Sequence, residues 1–325
     1  RLNGFGRLTI ASIASMALKQ RLRLEAWRET HPEIAREQVL RPLIIVGLPR
    51  TGTTFLHQLL YQDKQFRSPL RFEIEQPVPP PLEDALEKDR RVRKVQLGLD
   101  VIHKIVPHFM AVHPMAAPYP DECQQITQYQ FSGMGLQHII DAPSYQQWLL
   151  AHDYTADLAF HKHFLQHLQS AWHRDRWLLK SPAHVQYLPT LLKTYPDAMI
   201  IHTHRNPQEV MGSVSSLSWI MQDVFSDHAD PQRTGRGQLS YFNGITRQCL
   251  DGREQLASSS AFVDVRYPEL VADPMAIVRQ IYRHFDLTLS ASTIEAMKAY
   301  LGANKQGHRG AHGYDAAVFG VDGLD

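Results

Sequence analysis

Cysteine is scarce: Cys123 and Cys249 are the only two in 325 residues. Two isolated thiols make neither a disulfide framework nor a thiolate metal centre, so both are read as small core residues of a protein in a reducing, cytoplasmic setting. A charge excess is missing too, with 34 Lys and Arg against 33 Asp and Glu. No global field recruits nucleic acid or an anionic surface, and any anion site must be local. No apolar run approaches the ~20 residues that cross a bilayer, and the N-terminus lacks the charged start, apolar stretch and cleavage site of a secretion signal. The chain starts at Arg1 rather than Met, which leaves a leader or an upstream domain open. Internal repeats and low-complexity tails are absent, so the length accommodates one large α/β domain or two modest ones.

What is present is a βα alternation. Short apolar runs at 42–46, 177–180, 198–203 and 262–266 read as buried strands. Each is followed by a helical pattern, at 53–61, 185–194, 207–217 and 273–285, which predicts an α/β fold with a parallel sheet flanked by helices. Ligands in such sheets sit at the carboxyl ends of the strands. Before the first run, residues 7–30 form a basic amphipathic helix, with Leu8, Ile13, Ala17, Leu24 and Trp27 on one side. Peripheral membrane contact is open to such a helix, but packing on its own domain is the favoured outcome. Between the first two runs lies a long insertion. It opens with the proline-rich 77–82, continues as a charged helix near 83–105, and includes a helix at 159–172 with Phe160, Phe164, Leu168 and Trp172 at core spacing.

The most informative stretch is VGLPRTGTT, residues 46–54, between the first strand and its helix. Gly47 and Gly52 have the spacing of the nucleoside-triphosphatase loop, in which backbone N–H groups and a helix N-terminus converge on phosphate. The lysine of that loop is replaced by Thr53, and the loop's cation is Arg50. A magnesium triphosphate is poorly served by this set, whereas a 5′-phosphosulfate suits backbone amides, the hydroxyls of Thr53 and Thr54, and one arginine. A second stretch, HTHRNPQEVMGSVSSL at 202–217, carries Arg205 at a strand end, a helix start at Asn206-Pro207, and Ser213 two turns on. An arginine and a hydroxyl so spaced can close on one phosphate.

Together these motifs resemble the sulfotransferase superfamily that uses 3′-phosphoadenosine 5′-phosphosulfate (PAPS), and the likeness runs over roughly 42–320. The chain is similar to the bacterial branch related to tyrosylprotein and carbohydrate sulfotransferases. The resemblance implies one P-loop domain over 1–325, with an N-terminal helical extension at 1–40 and a helical insertion at 77–175 that selects the acceptor. It implies sulfuryl transfer from PAPS, without a metal, to a hydroxyl or less readily an amine of a small molecule, lipid or carbohydrate. The family arginine-aspartate-proline is here Arg205-Asn206-Pro207, which keeps the arginine.

By the same resemblance Arg50, Thr51, Gly52, Thr53 and Thr54 hold the 5′-phosphosulfate, and Arg205 with Ser213 the 3′-phosphate. Tyr267 packs near the nucleotide, and Arg309, with His312 and Lys305 nearby, lies in a closing loop. Lys180 contacts the transferring group. Two residues compete as the base: His113, similar to the histidine of a polyketide-tailoring branch, and Glu73, similar to the glutamate of the tyrosylprotein enzymes. An imidazole titrates near the operating pH, at about 6.5, which puts His113 ahead, with Glu122 as its orienting partner. His161, His163 and His167 lack a third-ligand pattern and are expected on a solvated helix face. The rival readings are a P-loop nucleotide kinase and a non-catalytic binding protein of the same fold.

Overall fold

The computed structural model describes residues 1–105, 115–256, 260–304 and 315–322. Five strands, β1 (Leu43–Val46), β2 (Phe66–Arg67), β3 (Arg176–Lys180), β4 (Met199–His204) and β5 (Phe262–Arg266), form a parallel sheet in the order β2-β3-β1-β4-β5. Four of them coincide with the expected apolar runs. β2 is only two residues long and carries no periodic signal; it exists because Phe66 and Arg67 pair with Arg176 and Trp177. β1 is buried at every position, as a central strand covered on both faces must be. Its side chains alternate: Ile44 and Val46 join one core with Leu179 and Ile200. Leu43 and Ile45 join the other with Leu178 and Ile201.

The chain leaves β1 towards β2 and β3 and then crosses to β4 and β5 on the other side. The turn after β1 therefore sits at the topological switch point, where the carboxyl ends of the strands open a crevice.

Helix α1 (Gly4–Thr30) precedes the sheet, its N-terminus capped by Asn3, whose Oδ1 accepts from Gly6 N–H at 2.7 Å. Helix α2 (Thr53–Leu60) follows β1, and the short α3 (Arg71–Glu75) follows β2. The expected continuous helix near 83–105 is divided. A 3₁₀ turn at Glu83–Lys88 ends on extended Asp89, whose carboxylate accepts from Arg91 N–H at 2.9 Å and starts α4 (Arg90–Ile105). The Pro231–Gln255 helix is not among those expected from periodicity, because four glycines dilute its pattern. One of them, Gly235, lets Phe319 approach so closely that a Cβ would lie 2.0 Å from its carbonyl oxygen.

The solvated face expected for the histidines of the Thr155–Gln169 helix holds for His163, which is exposed, and is corrected for His161 and His167, which are both fully buried. The helix packs on several sides, against the Leu188–Thr194 and Gln124–Thr127 helices and the Pro32–Arg36 turn. His161 Nδ1 lies 2.7 Å from the Tyr195 hydroxyl, and burial pushes its pKa down to about 3. His167 Nε2 donates to the Pro77 carbonyl at 2.9 Å.

Candidate active site

The loop after β1 is held in a conformation that its sequence makes cheap. Gly47 at φ 147° and Gly52 at φ 90° occupy left-handed backbone, and Arg50 joins them at φ 70°. A Cβ at Gly47 would lie 2.2 Å from Thr203 Oγ1, and one at Gly52 would meet the Tyr267 ring at 2.9 Å. Gly52 is also the N-cap of α2 and offers no capping side chain. The first-turn N–H groups of α2 thus receive no acceptor from their N-cap side chain, and the positive end of the helix dipole faces the crevice. That is the construction of an anion site.

Lys180 ends β3 directly beside this loop, in register with Ile45 of β1. Its ammonium is 2 % exposed, donates to Glu122, and reaches Thr54 Oγ1 at 3.3 Å. Glu122 is held in place by its own neighbours: Cys123 N–H donates to the Lys180 carbonyl at 2.9 Å, and Gln124 donates to the second Glu122 oxygen. The charge of Lys180 extends behind α2, where burial first and Lys180 second push the His57 imidazole down to about 3.

Arg205 follows β4. Its guanidinium donates to the Arg50 carbonyl at 3.0 Å, pairs with Glu209 one turn on, and lies over the Tyr267 ring at 4.3 Å. Arg50 in turn donates through Nε to Ser213 Oγ at 3.0 Å. The phosphate loop and the β4 turn are therefore tied together through Arg50.

These groups open on a cavity of about 1160 Å³. Its polar end holds Arg50, Gly52, Thr53, Thr54, Glu122 and Arg205. Its remaining wall is mainly apolar, with Ile13 and Met16 from α1, Val101 and Ile105 from α4, and Leu217 and Met221 from the Pro207–Phe225 helix.

The comparisons with known proteins agree with this geometry. A family model described as the sulfotransferase family matches residues 42–291. The chain belongs to the sulfotransferase family. Among curated sulfotransferases it is 27% identical, over 277 residues, to omega-hydroxy-beta-dihydromenaquinone-9 sulfotransferase Stf3 of Mycobacterium bovis, covering 80% of this chain. The match takes in 66% of that relative, so the chain spans just under two thirds of its length. Among solved structures, sulfotransferase STF1 of Mycobacterium tuberculosis superposes with a TM-score of 0.87 at 30% identity, over 98% of this chain and 84% of that one. Sulfotransferase STF9 of Mycobacterium avium gives 0.85 at 30% identity, over 98% and 82%. The α/β fold with a P-loop is thus shared with the sulfotransferase structures.

Several expected site residues stand away from the cavity wall. Glu73 does not line the cavity: it is fully buried, with one oxygen accepting from Arg67 at 2.9 Å and the other from Leu70 N–H at 2.8 Å. It closes α3 and neutralises Arg67, which is stacked between Trp172 and Trp177 at 4.5 and 4.7 Å. Thr51 faces inward, donating to the Leu48 carbonyl at 2.7 Å and lying 2.6 Å from Thr203 Oγ1. Ser213 is 3 % exposed and partners Arg50 rather than Arg205. His113, Arg309, Lys305 and His312 lie outside the described residues. Glu122, expected only as a partner of His113, is a carboxylate lining the cavity, as is Glu75. Its pairing with Lys180 links residues 58 apart in the chain and leaves no sequence signature.

Proposed function

We propose that this chain transfers a sulfuryl group from PAPS to a hydroxyl of an apolar, lipid-like acceptor. One observation carries the reading: an uncapped helix N-terminus and Glu122, itself paired with the buried Lys180 behind it, share a cavity whose remaining wall is mainly apolar. Gly52, Thr53, Thr54 and Arg50 would hold the 5′-phosphosulfate, and Arg205, stacked on Tyr267, would meet the 3′-phosphate side of the nucleotide. Ser213 would act through Arg50, which it orients.

Glu122 would take the acceptor proton as the acceptor oxygen bonds to sulfur and the sulfur–oxygen bond to the 5′-phosphate breaks. The electron pair leaves on the phosphate oxygen, where Lys180 and the loop offset the growing charge. Before the donor arrives Lys180 is the counter-ion of Glu122; an anionic sulfuryl group competes for that lysine and releases the carboxylate to act as base. His113 remains the alternative base. The 77–175 insertion, which supplies Glu122 and the α4 wall, would select the acceptor.

A lipid-like acceptor is supported by the extent of apolar wall and by the hydroxylated dihydromenaquinone in the name of the Stf3 relative. Incubation with radiolabelled PAPS and hydroxylated acceptors of increasing chain length should give sulfated products, with kcat/KM rising with apolar length. Magnesium-dependent binding of ATP tighter than that of 3′-phosphoadenosine 5′-phosphate would instead support a nucleotide kinase.

A further inference from the structure

We propose that the edge of the cavity formed by α1 and α4 docks on an anionic lipid bilayer, so that an acceptor moves sideways from the membrane into the site. The inference rests on the lipid-like acceptor proposed above and adds the surface that delivers it. Five large apolar residues line the cavity and are exposed at the same time: Phe5 (44%) and Met16 (43%) on α1, and Val101 (55%), Ile102 (37%) and Ile105 (46%) on α4. The apolar wall therefore continues out to the surface along two helices.

The outer face of α1 adjoins this edge, Leu8 lying about 60–80° around the helix from Phe5 and Met16, with residues that take no part in the cavity. Leu8, Leu18 and Leu22 are 66%, 49% and 71% exposed. At 100° per residue they fall within about 80° of one another around the helix. Lys19 and Arg23 lie on one flank of that stripe and Arg7 and Arg21 on the other, all four exposed. No acidic residue occurs in the chain before Glu25. Across α1 and α4 there are ten Lys or Arg against three Asp or Glu, an excess of seven, while the whole chain has a formal charge of +1.

This pattern selects the occupant. A second copy of the same helix would bring basic flank against basic flank, whereas an anionic headgroup layer supplies the missing negative charge and accepts the leucines below it. Long cationic side chains can reach the headgroups while their stems lie along apolar surface.

The test is flotation of the protein with vesicles of phosphatidylcholine alone or mixed with phosphatidylglycerol, at low and high salt and without donor or acceptor. Binding to the anionic vesicles that weakens with salt is expected. Lys19→Gln with Arg23→Gln should lower the partition coefficient by about thirtyfold, at roughly 1 kcal/mol per basic residue near the surface. Leu8→Asp with Leu22→Asp should abolish binding yet leave turnover of a short, water-soluble acceptor unchanged, because neither leucine lines the cavity. No preference for anionic vesicles would overturn the inference. So would the leucine pair converting a dimer into a monomer, by sedimentation, without changing vesicle binding. Vesicle binding without any sulfuryl transfer would sink the proposed activity and leave this surface standing.

Discussion

Replacing Glu122 by glutamine removes one charge and almost no volume, and its effects on stability, binding and chemistry separate cleanly. Lys180 is 2 % exposed and the Glu122 side chain 6 %. Truncating one partner of a buried pair typically costs about 3–5 kcal/mol, because the other charge is left without a counter-ion. Glutamine keeps an oxygen in place to accept from Lys180, so the loss for Glu122→Gln should be nearer 1–3 kcal/mol, and the variant should still fold. Catalysis should suffer more. Losing a general base costs about 10²–10⁴-fold, or roughly 2.7–5.5 kcal/mol in the barrier. Donor affinity should hold or improve, since Lys180 is freed from its carboxylate before the phosphosulfate arrives. Urea unfolding, calorimetry with 3′-phosphoadenosine 5′-phosphate and single-turnover kinetics measure the three quantities independently. Normal kcat in a folded Glu122→Gln protein, beside a His113→Ala protein that binds donor and does not turn over, would refute the assignment and move the role to His113. A fall in donor affinity matching the fall in kcat would show that Glu122 merely shapes the loop.

Arg205→Ala should weaken 3′-phosphoadenosine 5′-phosphate by about ten- to a hundredfold while sparing adenosine 5′-phosphosulfate, since a charge-assisted bond is worth roughly 1.5–3 kcal/mol; equal losses in calorimetry would make Arg205 structural. Gly52→Ala should destabilise the fold by about 1–3 kcal/mol and abolish donor binding, because its Cβ would lie 2.9 Å from the Tyr267 ring at φ 90°; thermal unfolding and nucleotide titration report the two effects. His57, His161 and His202 each have a pKa pushed down to about 3, mainly by burial. Their unfolded pKa is about 6.5, so the unfolded chain takes up protons first, and the stability they confer is complete above that value and lost as pH falls towards 3. At pH 5 the loss is about 2 kcal/mol for each, comparable in sum with a typical total of about 5–15 kcal/mol, so the urea midpoint should fall sharply between pH 7.5 and 5.

The sheet and the anion loop were legible in the linear chain because both are local. Four residues of Leu43–Val46 are apolar without interruption, and the glycines at 47 and 52 are needed for backbone that other residues avoid. The turn at Arg205 was legible for the same reason, as a strand end followed by Asn206-Pro207, with Asn206 accepting from Gln208 N–H at 2.9 Å. Glu73 and Glu122 were not distinguishable in this way. Each is a carboxylate in a polar stretch following apolar sequence, and only folding assigns one to Arg67 and Leu70 beneath α3 and the other to Lys180 at the mouth of the anion loop. The histidines of the Thr155–Gln169 helix follow the same rule, since its periodicity marks one apolar face and says nothing of the neighbours that cover the rest. Backbone conformation and strand burial depend on near neighbours in sequence, so the chain alone determined the fold class and the conformation of the loop after β1. The identity of a carboxylate's counter-ion depends on which strand ends the sheet brings side by side, and that was decided only by the tertiary structure.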